Sequence, residues 1–172
     1  RRLVNLRWGL VPAWGETARS RFDLINARAE TVSTTPAFRN AFRSRRCLVP
    51  ASGFYEWQAE GRHKQPFWFT PEDGAPLALA GLWERWHGDE ETIESFAIVT
   101  CPANADVAPV HDRMPVILPP EAWRRWLEDP VEDARALMRP APTGLLRALP
   151  VSTRVNRPNI DEPALILQQN SA

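Results

Sequence analysis

Three short segments carry side chains whose types and spacing suit chemistry. In Asn26-Ala27-Arg28-Ala29-Glu30-Thr31, an amide and a guanidinium lie two residues apart. On an extended backbone they project to the same side and can hold a polar or anionic group. The competing reading has Asn26 capping the following turn and Arg28 as a surface charge. In Gly53-Phe54-Tyr55-Glu56-Trp57, a carboxylate stands among aromatics. Buried there it needs partners, and desolvation would raise its pKa and suit it to proton transfer. Strand alternation equally allows Glu56 a wet face with Phe54 turned inward. In His111-Asp112-Arg113-Met114-Pro115, the histidine is flanked by apolar segments and can donate or accept a proton near neutral pH. The alternative is a structural histidine with its nitrogens satisfied. His63 and His87 stand in hydrophilic, turn-like contexts and are expected at the surface.

Other chemistry is poorly represented. There is no glycine-rich phosphate loop, no His-Glu-x-x-His and no Cys-x-x-Cys. Cys47, Cys101 and three scattered histidines do not make a metal site, so no metal and no cofactor is expected. Two thiols do not make a disulfide scaffold either, which points to a reducing, cytoplasmic setting. A cysteine-dependent hydrolase using Cys47 or Cys101 with His111 has no local signature in its favour.

The elements that must position these groups follow from 172 residues, of which 44% are apolar and 24% charged, enough for a real core and inconsistent with disorder. No apolar run approaches the roughly 18 residues that span a bilayer. Seventeen prolines favour short strands and ordered loops over long helices. Strands are expected at Leu3–Leu10, Cys47–Val49, Gly53–Gln58, Phe67–Phe69, Glu94–Cys101, Met114–Leu118 and Leu145–Val155; Leu77–Trp86 fits a strand or a helix, and Gly81 and its neighbours favour a strand. A turn at Gly61–Lys64 joins two of them. Thr35-Pro36 reads as an N-cap with proline at N1, opening a helix to Ser44 that buries Phe38 and Phe42. Pro119-Pro120-Glu121 opens a second helix with Trp123, Trp126 and Leu127 on one face. Val131–Met138 is a further amphipathic segment, and Asn104–Pro109 a single helical turn. The pattern is an α+β chain, with no composition shift that marks a second domain.

Charge is uneven along this frame. Residues 1–46 hold ten arginines against Glu16, Asp23 and Glu30, a net of +7, so the remaining 126 residues sum to −7. A basic third on a neutral protein suggests a local anion-binding face. The bland reading leaves Arg2, Arg39, Arg43, Arg45 and Arg46 as a solvated surface. Eight tryptophans supply buried aromatic area or stacking platforms.

In order and wording the segments resemble the SRAP family, the SOS-response-associated peptidase domain. The resemblance begins at Arg7-Trp8-Gly9-Leu10-Val11-Pro12-Ala13-Trp14 and runs through Asn26–Thr31 and Arg46-Cys47-Leu48-Val49-Pro50-Ala51. It continues in Gly53–Trp57, Ala80-Gly81-Leu82-Trp83-Glu84 and His111–Val116, and closes at Val151-Ser152 to Val155-Asn156. It implies one SRAP domain over residues 1–172. The fold implied is α+β, mainly short antiparallel strands in a barrel-like sheet with a few peripheral helices.

The implied activity is recognition of abasic sites in single-stranded DNA and covalent cross-linking to them. In the family, the amine and thiol of an N-terminal cysteine capture the ring-opened sugar aldehyde as a thiazolidine, at high effective concentration. That cysteine belongs to a Met-Cys-Gly-Arg start preceding the Arg-Trp-Gly-Leu segment, and this chain begins inside the domain without it. By resemblance, Asn26 positions the sugar or the amine. Glu56 shuttles protons and assists removal of the initiator methionine, and His111 promotes sugar-ring opening. Arg28 and Arg113 clamp phosphates, Trp57 stacks on or wedges beside a base, and Thr100 bonds the sugar or its phosphate. The implied protein is a cytoplasmic monomer, nucleoid-associated when bound to single-stranded DNA, with no membrane partner. The alternative is a non-covalent single-stranded or damaged-DNA binding module.

Overall fold

Residues 92–102 alternate in burial along their length, as a strand covered on one face should, and this strand organises much of the chain. A computed structural model describes residues 2–17 and 24–168. In chain order the elements are β1 (Arg7–Trp8), β2 (Asn26–Arg28), α1 (Arg39–Ser44), β3 (Arg46–Ala51), β4 (Phe54–Glu60), β5 (His63–Pro71), β6 (Leu77–His87), β7 (Thr92–Pro102), β8 (Arg113–Pro115), α2 (Pro120–Glu128), α3 (Val131–Ala136) and β9 (Leu146–Pro150), then 3-10 turns at Thr153–Asn156 and Pro163–Ile166. The fold is α+β, with few helices. Among the described residues no helix is long and apolar enough to cross a membrane.

The residues gather into two compact units. Arg1–Val49, Ala78–Cys101 and Pro115–Arg139 form the first; Pro50–Leu77, Pro102–Met114 and Pro140–Ala172 form the second.

The first unit is built on a sheet ordered β1-β7-β6-β3, with β2 also on β7. β6 and β7 pair antiparallel, whereas β1 and β2 run parallel to β7. Ser95, Ala97, Val99 and Cys101 point inward and are fully buried, while the residues between them are half-exposed. Ser95 is satisfied there because its Oγ accepts the Val11 amide at 2.8 Å. Phe42 and Trp126, both fully buried, meet at 6.0 Å between α1 and α2.

Several expectations shift here. The strand expected over Leu3–Leu10 shrinks to Arg7–Trp8, the two residues that pair with β7; Leu3 is 88% exposed and has nothing to pack on. The first helix starts at Arg39 rather than Pro36. Thr35 does not cap it, because its hydroxyl donates back to the Thr31 carbonyl. Phe38 and Phe42 are buried as expected. On α2 the buried residues are Ala122 and Trp126, while Trp123 turns outward and donates its indole N–H to the Leu118 carbonyl.

Arg45 and Arg46 are not a solvated surface. Arg45 pairs with the buried Glu84 at 2.6 Å. Arg46 lies over the Phe42 and Trp126 rings and donates to the carbonyls of Phe42, Trp126 and Asp129, closing the C-terminal end of α2. Arg2, Arg39 and Arg43 do lie at the surface.

The second unit holds an antiparallel sheet ordered β4-β5-β9, with β4 at one edge. A two-residue turn, Gly61-Arg62, joins β4 to β5, and Gly61 takes the φ of +59° that such turns need. Phe54 stacks on Phe69 at 5.2 Å and Tyr55 meets Trp68 at 4.7 Å. Before β4, Gly53 passes so close to β5 that an added Cβ would lie 2.3 Å from the Phe69 carbonyl oxygen. The late strand stops at Pro150, where the chain enters the 3-10 turn begun by Ser152, whose Oγ accepts the Arg154 amide.

Candidate active-site cleft

β4 carries Glu56 and Trp57 as neighbours, so they project to opposite faces of the strand. Both nevertheless line one open cleft of about 310 Å³, with Lys64, His111 and Asn156. A cleft that takes residues from both faces must wrap the free edge of β4, and β4 is the edge strand of its sheet.

Residues 104–112 bring His111 to that edge. Asn104, only 8% exposed, accepts the amides of Asp106 and Val107 through Oδ1 and donates Nδ2 to the Ala141 carbonyl at 3.1 Å. Asp106 in turn accepts the amides of Gly144 and Leu146. The His111 amide donates to the Val107 carbonyl, and Gln58 on β4 donates to the Pro109 carbonyl at 2.8 Å. The segment that carries His111 is thus fastened at its base, at its middle and to β4.

The ring itself is oriented. The Arg113 amide donates to His111 Nδ1 at 3.0 Å. The Arg113 carbonyl lies 3.3 Å from the same nitrogen, so the Arg113 backbone holds Nδ1 as acceptor or as donor, according to where the ring carries its proton. Glu56 Oε2 lies 3.8 Å from Nδ1 and Asp112 Oδ1 lies 3.3 Å away. The Glu56 contact is too long for a hydrogen bond but close enough for charge coupling when the ring is protonated.

Glu56 is half-buried, neither on a wet face nor sealed among the aromatics. Burial pushes its pKa up, the nearby His111 pulls it down, and Asp112 pushes it up again; the net direction is upward. Such a carboxyl can hold or release a proton closer to neutral pH than an ordinary glutamate. Trp57, beside it, is oriented by donating its indole N–H to Asn156 Oδ1 at 2.7 Å. Arg113, the last of the expected residues in this unit, is half-buried and supplies the amide that orients His111.

The other three expected residues lie together on the first unit. Asn26 and Arg28 are extended on β2, both exposed, with Ala27 buried between them. Arg28 pairs in register with Thr100 and Asn26 with Ile98, so Asn26, Arg28 and Thr100 share one face of the sheet. Among the described residues Asn26 caps no turn, and the Arg28 side chain has no ion pair. Trp8, 53% exposed, pairs with Phe96 in phase with them and stands on the same face.

The cysteines give no support to a cysteine hydrolase. Cys101 is fully buried, out of reach of a substrate, and burial pushes the Cys47 thiol up to about 12, so Cys47 presents no thiolate at neutral pH. Sequence reasoning did not single out Lys64, Asn104, Asp106 or Asn156 for this site. The Asn104-Ala105-Asp106 spacing, typical of a side chain that bonds the backbone two residues on, was a usable signal for the first pair.

The family model of the SOS response associated peptidase (SRAP) matches residues 1–158. The abasic site processing protein YoqW of Bacillus subtilis is 38% identical over 170 residues, covering 96% of this chain and 76% of the relative. The abasic site processing protein HMCES of Gallus gallus is 33% identical over 193 residues, covering 96% of this chain and 57% of the relative. A crystal structure of a protein from Bacteroides thetaiotaomicron superposes with a TM-score of 0.86 at 28% identity, covering 96% of this chain and 76% of that one. Motif order and fold agree with the family match: this chain belongs to the SOS response associated peptidase (SRAP) family.

Proposed function

We propose that the protein processes abasic sites in single-stranded DNA by capturing the ring-opened sugar covalently. The observation that carries this reading is the Glu56–His111 pair, 3.8 Å apart and lining one cleft with Trp57, in a chain whose relatives are named abasic site processing proteins. An abasic deoxyribose exists mainly as a closed hemiacetal, so capture needs an acid to protonate the ring oxygen and a base to take the anomeric hydroxyl proton. His111, in its protonated form, supplies the first and is left neutral. Glu56, with its raised pKa, supplies the second and carries protons during imine formation. The nucleophile in this proposal is an N-terminal cysteine upstream of Arg1, whose amine and thiol close a thiazolidine. Glu56 also serves removal of the initiator methionine that exposes that amine.

DNA is held by groups of three kinds. Trp57, locked by Asn156, offers its ring to the base beside the gap. Arg28 and Arg113 take phosphates, and Asn26 and Thr100 bond the sugar and its phosphate. We assign the protein a monomeric, cytoplasmic form that joins the nucleoid when bound.

Incubation of the full-length protein with an abasic single-stranded oligonucleotide, followed by intact-mass measurement, tests the proposal. The expected result is a species heavier by the DNA, minus water. Salt-sensitive reversible binding with no adduct would replace covalent capture by a binding module, and absence of both would refute the proposal.

A further inference from the structure

We infer that Lys64 is a phosphate contact of the cleft, gripping the DNA backbone beside the base that meets Trp57; the inference rests on the single-stranded DNA reading above. Lys64 is the one lysine in a chain with 20 arginines. It lines the cleft with Glu56, Trp57, His111 and Asn156. Its strand register explains why. Lys64 on β5 pairs with Ala59 on β4, while Trp57 pairs with Pro66. Directly paired residues share a face, so Lys64 and Trp57 are diagonal neighbours on one side of the hairpin, about 7–8 Å apart.

The surrounding charges give this position its use. Glu56 lines the cleft, and Asp112, which is 89% exposed, stands beside His111. Two carboxylates by themselves repel a polyanion from the groups that must act on it. Lys64 offsets them at the rim. It is exposed, and among the described residues its side chain makes no hydrogen bond or ion pair, unlike those of Arg45, Arg46 and Arg85, which are held by protein partners. An exposed ammonium is a compact point charge with three donors, suited to a phosphate oxygen whose position varies with sequence.

The test compares full-length wild type, K64Q and K64R for affinity to abasic and intact single-stranded oligonucleotides across a salt series. One lost phosphate contact on a single strand flattens the slope of log affinity against log salt by about 0.7. K64Q should show that change, so that the wild-type advantage over it shrinks about threefold between roughly 50 and 200 mM salt. K64R should keep the wild-type slope. A K64Q slope equal to wild type overturns the Lys64 contact while leaving the general reading intact. A K64R slope as flat as that of K64Q also overturns it, because charge would not be the reason. Borohydride trapping that maps DNA onto Lys64 would replace the phosphate contact by a nucleophile. Failure of wild type to bind either oligonucleotide at low salt defeats both this inference and the reading it rests on.

Discussion

Glu56→Gln separates proton chemistry from architecture in the cleft. The substitution keeps side-chain volume and removes both the charge and the titratable proton. His111 should not move, because its Nδ1 is held by the Arg113 amide at 3.0 Å whereas Glu56 lies 3.8 Å away. Any loss of capture is then chemical. A positioned acid–base group contributes about 10²–10⁴ in rate, or roughly 3–5 kcal/mol of barrier. Stability should change in the opposite sense. Burial, reinforced by Asp112 and offset by His111, raises the folded-state pKa of Glu56. A raised carboxyl adds full stability below its unfolded pKa and loses it as pH rises through the folded value. Above its unfolded pKa the Glu56 carboxyl therefore opposes folding, and E56Q removes that opposition. The variant should match wild type in acid and exceed it increasingly as pH rises through the Glu56 titration. Single-turnover capture of abasic single-stranded DNA and denaturant midpoints, both measured from about pH 4 to pH 8, read the two effects. Capture within threefold of wild type would remove Glu56 from the chemistry. A variant less stable than wild type at neutral pH would refute burial as the dominant influence on this carboxyl.

Three further outcomes follow from the same geometry. Trp57→Ala should weaken binding of abasic single-stranded DNA by about 1–3 kcal/mol, and Asn156→Ala by a smaller amount, because it frees the indole without removing it; equal affinity of N156A and wild type would show that the Asn156 bond does not orient the ring. Asn104→Ala should lower unfolding stability by about 1–3 kcal/mol and slow capture, since it leaves the Asp106 amide and the Ala141 carbonyl without their side-chain partner and the Val107 amide with only the residue-104 carbonyl; an unchanged denaturant midpoint would argue against its anchoring role. Gly53→Ala should destabilise by about 1–3 kcal/mol, read as a lower thermal midpoint, because its Cβ would meet the Phe69 carbonyl at 2.3 Å and the Trp68 ring at 2.5 Å; a wild-type midpoint would mean that β4 and β5 separate at little cost.

What was readable from sequence was local. The glycine after Glu60 announced the β4–β5 turn, Pro119-Pro120-Glu121 announced α2, and the spacing of Phe38 and Phe42 announced a buried helical face. The Asn26-x-Arg28 spacing placed both side chains on one side, which β2 realises. Each of these depends on backbone preference or periodicity within a few residues. The family, too, was legible, because its motifs keep their order along the chain. Periodicity was silent on partners. Nothing near Glu56 in sequence says that it is half-buried beside His111, since that depends on how Asn104 and Asp106 tie down a distant segment. Nothing near Arg46 says that it caps α2 instead of facing solvent. Lys64 read as a turn residue until the hairpin register set it diagonal to Trp57. A sequence specifies which face of its own element a side chain occupies; which charge, carbonyl or ring it then meets is decided by long-range packing, and a side chain's pKa and function depend on that encounter.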